Sequence, residues 1–186
     1  TSPIAIHGVK SQIDCHGDNN GGIYAVASGG TGPYTYSWIG PGGFTSTNQL
    51  ITGLMPGIYC LTVEDANGCT RTECTNINEP PALATNPDIV LPDCGDVDEQ
   101  ATVDLNVSGG VPPYTYNWSS GDTTSSVSLD EGQYSVLITD ANGCELLETF
   151  DLQFSGALVI GLESPFFNGG VNIACHGGNT GSIELT

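Results

Sequence analysis

Seven cysteines, Cys15, Cys60, Cys69, Cys74, Cys94, Cys144 and Cys175, are the residues of this 186-residue chain best equipped for covalent or metal chemistry. Zinc sites usually bring their thiolates in closely spaced pairs, and Cys60, Cys69 and Cys74 have no second pair at matching spacing. His16 and His176 each follow a cysteine, but Gly95 stands at the equivalent place after Cys94, so a repeating zinc ligand is not indicated. A cysteine nucleophile needs a base and a group to orient it, and no such third group is placed here. No serine sits in a nucleophile elbow, and no pair of carboxylates suggests glycoside hydrolysis. The chemistry left to these thiols is pairing, which implies an oxidising compartment, the periplasm or the cell exterior.

Carboxylates form the second group. Asp14 and Asp18 lie beside Cys15, and Asp93, Asp96, Asp98 and Glu99 surround Cys94. Oxygen-rich loops of this kind suit calcium, although none matches the twelve-residue calcium loop with its closing glutamate. They are candidate calcium ligands, and no cofactor is assigned. Asp65 and Asp140 read instead as turn residues whose side chains accept backbone hydrogen bonds. Twenty-one acidic residues against Lys10 and Arg71 give a net charge of −19. With no basic patch, phosphate neutralisation is unavailable to the chain, which excludes nucleic acid and attachment to anionic lipid as partners. No apolar run reaches membrane-spanning length, so membrane insertion is not expected. Hydrophobic residues make up 38% of the chain, enough to fill cores.

These residues recur at a fixed spacing. Cys15-His16-Gly17, Cys94-Gly95-Asp96 and Cys175-His176-Gly177 open three segments that begin 79 and 81 residues apart. Pro33-Tyr34-Thr35-Tyr36-Ser37-Trp38 returns as Pro113-Tyr114-Thr115-Tyr116-Asn117-Trp118, and Asp65-Ala66-Asn67-Gly68-Cys69 returns as Asp140-Ala141-Asn142-Gly143-Cys144. Such self-similarity marks one structural unit copied in tandem. The expected organisation is a first repeat over 1–80, a second over 81–154, and the truncated start of a third over 155–186, a piece of a longer array. Pro80-Pro81 suits a stiff junction.

Glycine and proline punctuate short segments of alternating pattern, and none has a sustained helical period. Ile23, Ala25 and Ala27 align with Val103, Leu105 and Val107 as an inward strand face. Tyr34, Tyr36 and Trp38 share a face, as do Tyr114, Tyr116 and Trp118; further on, Tyr59, Leu61 and Val63 match Tyr134, Val136 and Ile138. An aromatic row on a strand is most simply a core face, against the alternative of a sugar platform. The fold class is therefore all-β, as tandem antiparallel β-sandwich repeats of immunoglobulin-like or PKD-like kind, stapled by disulfides. In the third segment Ile173, Ile183 and Leu185 would be left exposed, and strand addition to an edge of the second repeat or of another molecule is the favoured outcome.

Ala66-Asn67-Gly68 suits a three-residue hairpin loop closed by a left-handed glycine. In that register Cys60 faces Cys74, predicting a cross-strand disulfide in the first repeat, whereas Ser135 and Thr149 replace both cysteines in the second. A two-residue turn on Asn67-Gly68 would place Cys74 opposite Leu61 and remove that support. Repeat symmetry then suggests Cys15 with Cys69 and Cys94 with Cys144, with Cys175 left over.

The order Cys-x-Gly, Gly-Gly-x-x-Pro-Tyr-x-Tyr-x-Trp, Gly-x-Tyr, Asp-Ala-Asn-Gly-Cys resembles the SprB repeat of very large surface adhesins of gliding Bacteroidetes. The resemblance runs from Cys15 through Gly29, Gly30, Pro33, Trp38, Gly57 and Tyr59 to Cys69, and again from Cys94 through Gly109, Gly110, Pro113, Trp118, Gly132 and Tyr134 to Cys144. It implies export by type IX secretion and an extracellular place on the cell surface, associated with the outer membrane through the parent protein. The implied partners are neighbouring repeats, an extracellular surface or polysaccharide, and the gliding and secretion machinery. The expected function is a structural stalk used in attachment and gliding motility, without catalytic chemistry. The alternatives are a carbohydrate-binding module, for which Phe44 and Phe166-Phe167 are the available rings, and an accessory domain of a secreted hydrolase.

Overall fold

A computed structural model of the chain describes residues 2–92 and 100–154, together with the backbone of the strands Val171–Ile173 and Gly181–Ile183. By Cα proximity the chain divides into two compact units. The first comprises Thr1–Ala84, Ser108–Tyr114 and Thr139–Glu145; the second comprises Thr85–Val107, Thr115–Ile138 and Leu146–Thr186. The tip of the second repeat's Asp-Ala-Asn-Gly-Cys hairpin thus belongs to the first unit.

The first repeat forms seven strands: β1 (Ala5–Ser11), β2 (Gly21–Ser28), β3 (Thr35–Ile39), β4 (Thr45–Ser46), β5 (Leu50–Leu54), β6 (Gly57–Glu64) and β7 (Thr70–Ile77). They make two antiparallel sheets, in the orders β1-β2-β5 and β4-β3-β6-β7. The two-residue alternation of the sequence decides which side chains meet between them. Ile23, Ala25 and Ala27 of β2 are buried with Ile51 and Leu54 of β5, Trp38 of β3, and Tyr59, Leu61 and Val63 of β6. Burying each large aliphatic side chain is worth roughly 1.5–3 kcal/mol, so this cluster supplies the main cohesion of the sandwich.

The second repeat follows the same plan with β8 (Asp88–Val90), β9 (Ala101–Asp104), β10 (Thr115–Trp118), β11 (Ser126–Leu129), β12 (Gly132–Thr139) and β13 (Glu145–Leu152). Its sheets run β8-β9-β11 and β10-β12-β13. Ala101, Val103, Leu105, Trp118, Val127, Leu129, Val136, Ile138 and Leu152 are buried. Of the six residues expected on the inward face of β2 and its counterpart, five are buried and Val107 is half-buried. Asn106 takes a left-handed φ of 45°, which ends the regular strand run after Leu105. A tight turn, with the Gly121 amide on the Trp118 carbonyl, replaces the region that forms β4 in the first repeat.

The strands β14 (Val171–Ile173) and β15 (Gly181–Ile183) pair with each other, Val171 opposite Ile183. Among the described strands they form a separate two-stranded sheet, where the sequence favoured addition to an existing edge. Local pairing needs only a short loop, whereas joining another sheet carries a larger closure cost.

Candidate functional site: a carboxylate-built hairpin and its cysteine

The aromatic rows are core. Trp38 and Trp118 are buried, and Tyr34, Tyr36 and Phe44 pack against the first core. Both indoles donate to carbonyls, Trp38 Nε1 to Asn48 and Trp118 Nε1 to Thr124, each at 2.9 Å. Phe44 is half-buried, packed against the first core and in a T-shaped contact with the Tyr59 ring at 5.4 Å. Phe166 and Phe167 lie outside the described residues.

The sites where polar side chains converge are the two hairpin tips. In the first, the Gly68 amide donates to the Asp65 carbonyl at 3.0 Å and the Asp65 amide to the Cys69 carbonyl at 2.9 Å. This is the three-residue loop closed by a left-handed glycine, with Gly68 at φ 79°. The Asp65 carboxylate organises it: Oδ1 accepts from the amides of Asn67 and Cys69, both at 2.9 Å, and Oδ2 from the Thr31 amide at 3.0 Å. The second tip repeats the set, Asp140 Oδ1 accepting from Asn142 at 2.8 Å and Cys144 at 2.9 Å, and Oδ2 from Val111 at 2.8 Å.

Both aspartates are buried, and both carboxyls are held below the usual carboxylate range. For Asp65 the amide of Cys69 is the main cause, followed by that of Thr31. For Asp140 burial is the largest single influence and works upward, but the amides of Cys144, Val111, Asn142 and Gly143 together outweigh it.

The Gly-Gly pair of each repeat lets the incoming chain close over its tip. The Gly30 amide donates to the Ser2 carbonyl at 2.8 Å and the Gly110 amide to the Pro81 carbonyl at 2.9 Å. A Cβ on Gly29 would lie 2.1 Å from the Pro3 carbonyl oxygen, and one on Gly109 would lie 1.8 Å from that of Ala82. Only glycine permits this approach. Ser2-Pro3 and Pro81-Ala82 therefore enter their repeats in the same way, beside the hairpin tip.

The opening cysteine lies at the other end of the first sandwich. Its loop is tied to the segment that follows β7: the Ile13 amide donates to the Asn78 carbonyl at 3.1 Å and the Gly17 amide to Glu79 Oε2 at 2.8 Å. His16 Nδ1 lies 3.2 Å from the Pro80 carbonyl. Within the loop, Asn20 and Asp14 exchange two hydrogen bonds, and the Asp18 amide donates to the Cys15 carbonyl.

The expected pairing of Cys60 with Cys74 is present. They are direct partners in the β6–β7 register, with Cα atoms 4.0 Å apart. The pairing of Cys15 with Cys69 is not formed, nor is Cys144 joined to Cys94. Cys15 is bonded to Cys144, 129 residues away, with Cα atoms 5.6 Å apart; Cys69 is free and exposed. Cys94 lies outside the described residues. The physical reason is the length of β7. Cys69 stands just before its first residue, and the Cys15 loop is anchored just after its last. Eight residues of strand span about 26 Å, far beyond the roughly 7 Å a disulfide tolerates. The Pro81-Ala82 segment, leaving that same end, meets Gly109-Gly110 and brings the Asp140 tip within reach of Cys15. The Asn142 side-chain amide adds a 2.8 Å hydrogen bond to the Asp14 carbonyl.

Asp14 and Asp18 serve this loop's internal bonding, while Asp93, Asp96, Asp98 and Glu99 lie outside the described residues. Among the described residues no three His, Cys, Asp or Glu side chains gather in a way that could hold a metal ion. Nor is any helix among them long and apolar enough to cross a membrane.

A comparison with curated proteins gives no match. Protein-family comparison matches the SprB repeat at residues 8–43, from β1 through the opening cysteine to the turn after β3, and again at residues 98–123, around β9 and β10. The carboxylate-built hairpin, the Gly-Gly approach and the sandwich core recur in both copies, and two stretches of this chain, one in each copy, are similar to the SprB repeat.

Proposed function

We propose that this chain is a stretch of the stalk of a large secreted cell-surface adhesin, serving attachment and gliding motility without catalytic chemistry of its own. The observation that carries the reading is the Cys15–Cys144 bond, a covalent tie between one sequence copy and the next. Such a tie suits a chain that transmits load outside the cell, where disulfides persist. The SprB resemblance supports the same role. The polar groups of the hairpin tips are used in building the turns, and Trp38, Trp118 and Phe44 are packed into or against the cores, which favours a structural role over a carbohydrate-binding one.

An antibody raised against the folded repeats tests the proposal on intact cells of the producing organism. Surface labelling is expected, with loss of that label in a strain lacking type IX secretion and defective attachment or gliding when the parent gene is deleted. Retention of the protein inside wild-type cells would overturn it.

A further inference from the structure

We infer that the exposed Cys69 tip is a covalent docking site for the opening Cys-x-Gly loop of another copy of this repeat, so that successive repeats are joined in a staggered disulfide ladder. The inference rests on tandem repetition and not on the adhesive role. Its ground is the occupied twin. One repeat later, the same Asp-Ala-Asn-Gly-Cys tip holds such a loop by two bonds, Cys144 to Cys15 and the Asn142 amide to the Asp14 carbonyl.

The two tips are built alike. The carboxylate distances at Asp65 and Asp140 agree within 0.2 Å, and the closing turn bonds agree within 0.1 Å. Cys69 is consequently presented by the same backbone as Cys144. The approach beside it is also alike, since Ser2-Pro3 crosses Gly29-Gly30 as Pro81-Ala82 crosses Gly109-Gly110. At the second tip that crossing is where Glu79 and Pro80 bring in the loop of Cys15. One difference marks the vacant partner. Asn67 donates to Thr31 Oγ1 at 2.9 Å, whereas Val111 stands at Thr31's position in the second copy and offers no hydroxyl. Asn67 can therefore exchange Thr31 for an incoming carbonyl without leaving its own amide unsatisfied in the free state.

The pairing chemistry is thiol–disulfide exchange. The Cys69 thiolate attacks the loop cysteine's sulfur in a mixed disulfide, the new S–S bond forms, and the former partner leaves as a thiolate carrying the electron pair. In an array, two thiols and one oxidant of the disulfide class give the bond and two released thiols.

The test uses the intact chain and a nonapeptide with the sequence of residues 12–20, its cysteine carried as a mixed disulfide with thionitrobenzoate. Release of the coloured thiolate gives the rate, and mass mapping with a non-tryptic protease locates the adduct. Docking that adds one hydrogen bond in the productive pose should make the loop peptide about tenfold faster than a scrambled peptide. The adduct should fall on Cys69, and Asn67→Ala should reduce the preference for the loop peptide over the scrambled one. Equal rates for the two peptides, or an adduct confined to Cys94 or Cys175, would overturn the inference. Surface labelling of cells is indifferent to either result, so the two proposals fail separately.

Discussion

The last strands of the two repeats occupy the same place, at the edge of the sheet that carries the tryptophan, yet they are held there by opposite means. On β7 the row that shares a face with Tyr59, Leu61 and Val63 is Arg71, Glu73, Thr75 and Ile77, and only Ile77 is buried. Arg71 and Glu73 form an exposed ion pair at 3.0 Å, a weak contributor. A groove of about 290 Å³ remains beside Trp38, lined in part by Ile6, Val9, Leu61 and Thr75. The corresponding row on β13 is Leu146, Glu148, Phe150 and Leu152. Phe150 lies 5.6 Å from Trp118, and Glu148 accepts a 2.7 Å bond from Thr85. The strand with the poorer apolar face is the one that carries Cys60–Cys74 on its other side; the better-packed strand has Ser135 and Thr149 there. Within one architecture, a covalent staple and an aromatic contact do the same work of keeping an edge strand closed.

Removing the staple is the most direct way to break that comparison. A bridge closing a loop of this size is worth about 3 kcal/mol in the chain-entropy account. Cys60→Ser with Cys74→Ser should therefore lower the denaturation midpoint of the first repeat and leave the second nearly unmoved. The chain's two tryptophans, one per core, allow the transitions to be followed separately through their indole N–H resonances. A shift of the Trp118 signal as large as that of Trp38 would show that the staple acts beyond its own strand pair.

The next effect is smaller and falls on the other repeat. Phe150 is half-buried, so Phe150→Ala should cost about 2 kcal/mol, less than the 3–5 kcal/mol of a fully buried ring. Thr75→Ala, the matched change in the first repeat, should stay within about 0.5 kcal/mol. Equal losses at the two positions would remove the distinction between a packed edge and a stapled one.

How far these features were legible in the sequence depended on how local they were. The hairpin register was readable because Asn67-Gly68 and two facing cysteines lie within a few residues of each other, so turn chemistry fixes which side chains meet. The inward faces of β2 and β6 followed from alternation alone. Val107 departed because a left-handed Asn106 is a backbone choice that the hydrophobic pattern does not announce. The staggered pairing of Cys15 was harder. Repeat symmetry permits pairing within a copy as readily as pairing to the next one, and either choice leaves a cysteine over. What decides is that Cys15 and Cys69 stand at opposite ends of β7, a distance visible only once the opening loop is known to bind Glu79 and Pro80. The anchoring signal was present in Gly17 and Glu79, but nothing in their types declares that they meet.

The smallest difference between the repeats is expected at their tips, where the two carboxylate cages are equivalent, and this gives the comparison its control. Both aspartates have folded-state pKa values below the ordinary one, so each favours the folded state when ionised. Their contribution is fully present above the ordinary carboxylate range and is lost as pH falls through the depressed values, which means stability declines on acidification. The same residues protonate in both copies, and the loss should strike both tips together. Carboxyl carbon titration by NMR should place Asp65 and Asp140 below the other aspartates. Asp65→Asn and Asp140→Asn should each flatten the acid limb of their own tip's hydrogen-exchange profile, because an amide cannot accept at both positions from the flanking backbone N–H groups. A depressed value at Asp140 with an ordinary one at Asp65 would trace the effect to the occupied disulfide rather than to the turn. Equal depression with Cys69 free would show that the carboxylate alone holds the tip ready.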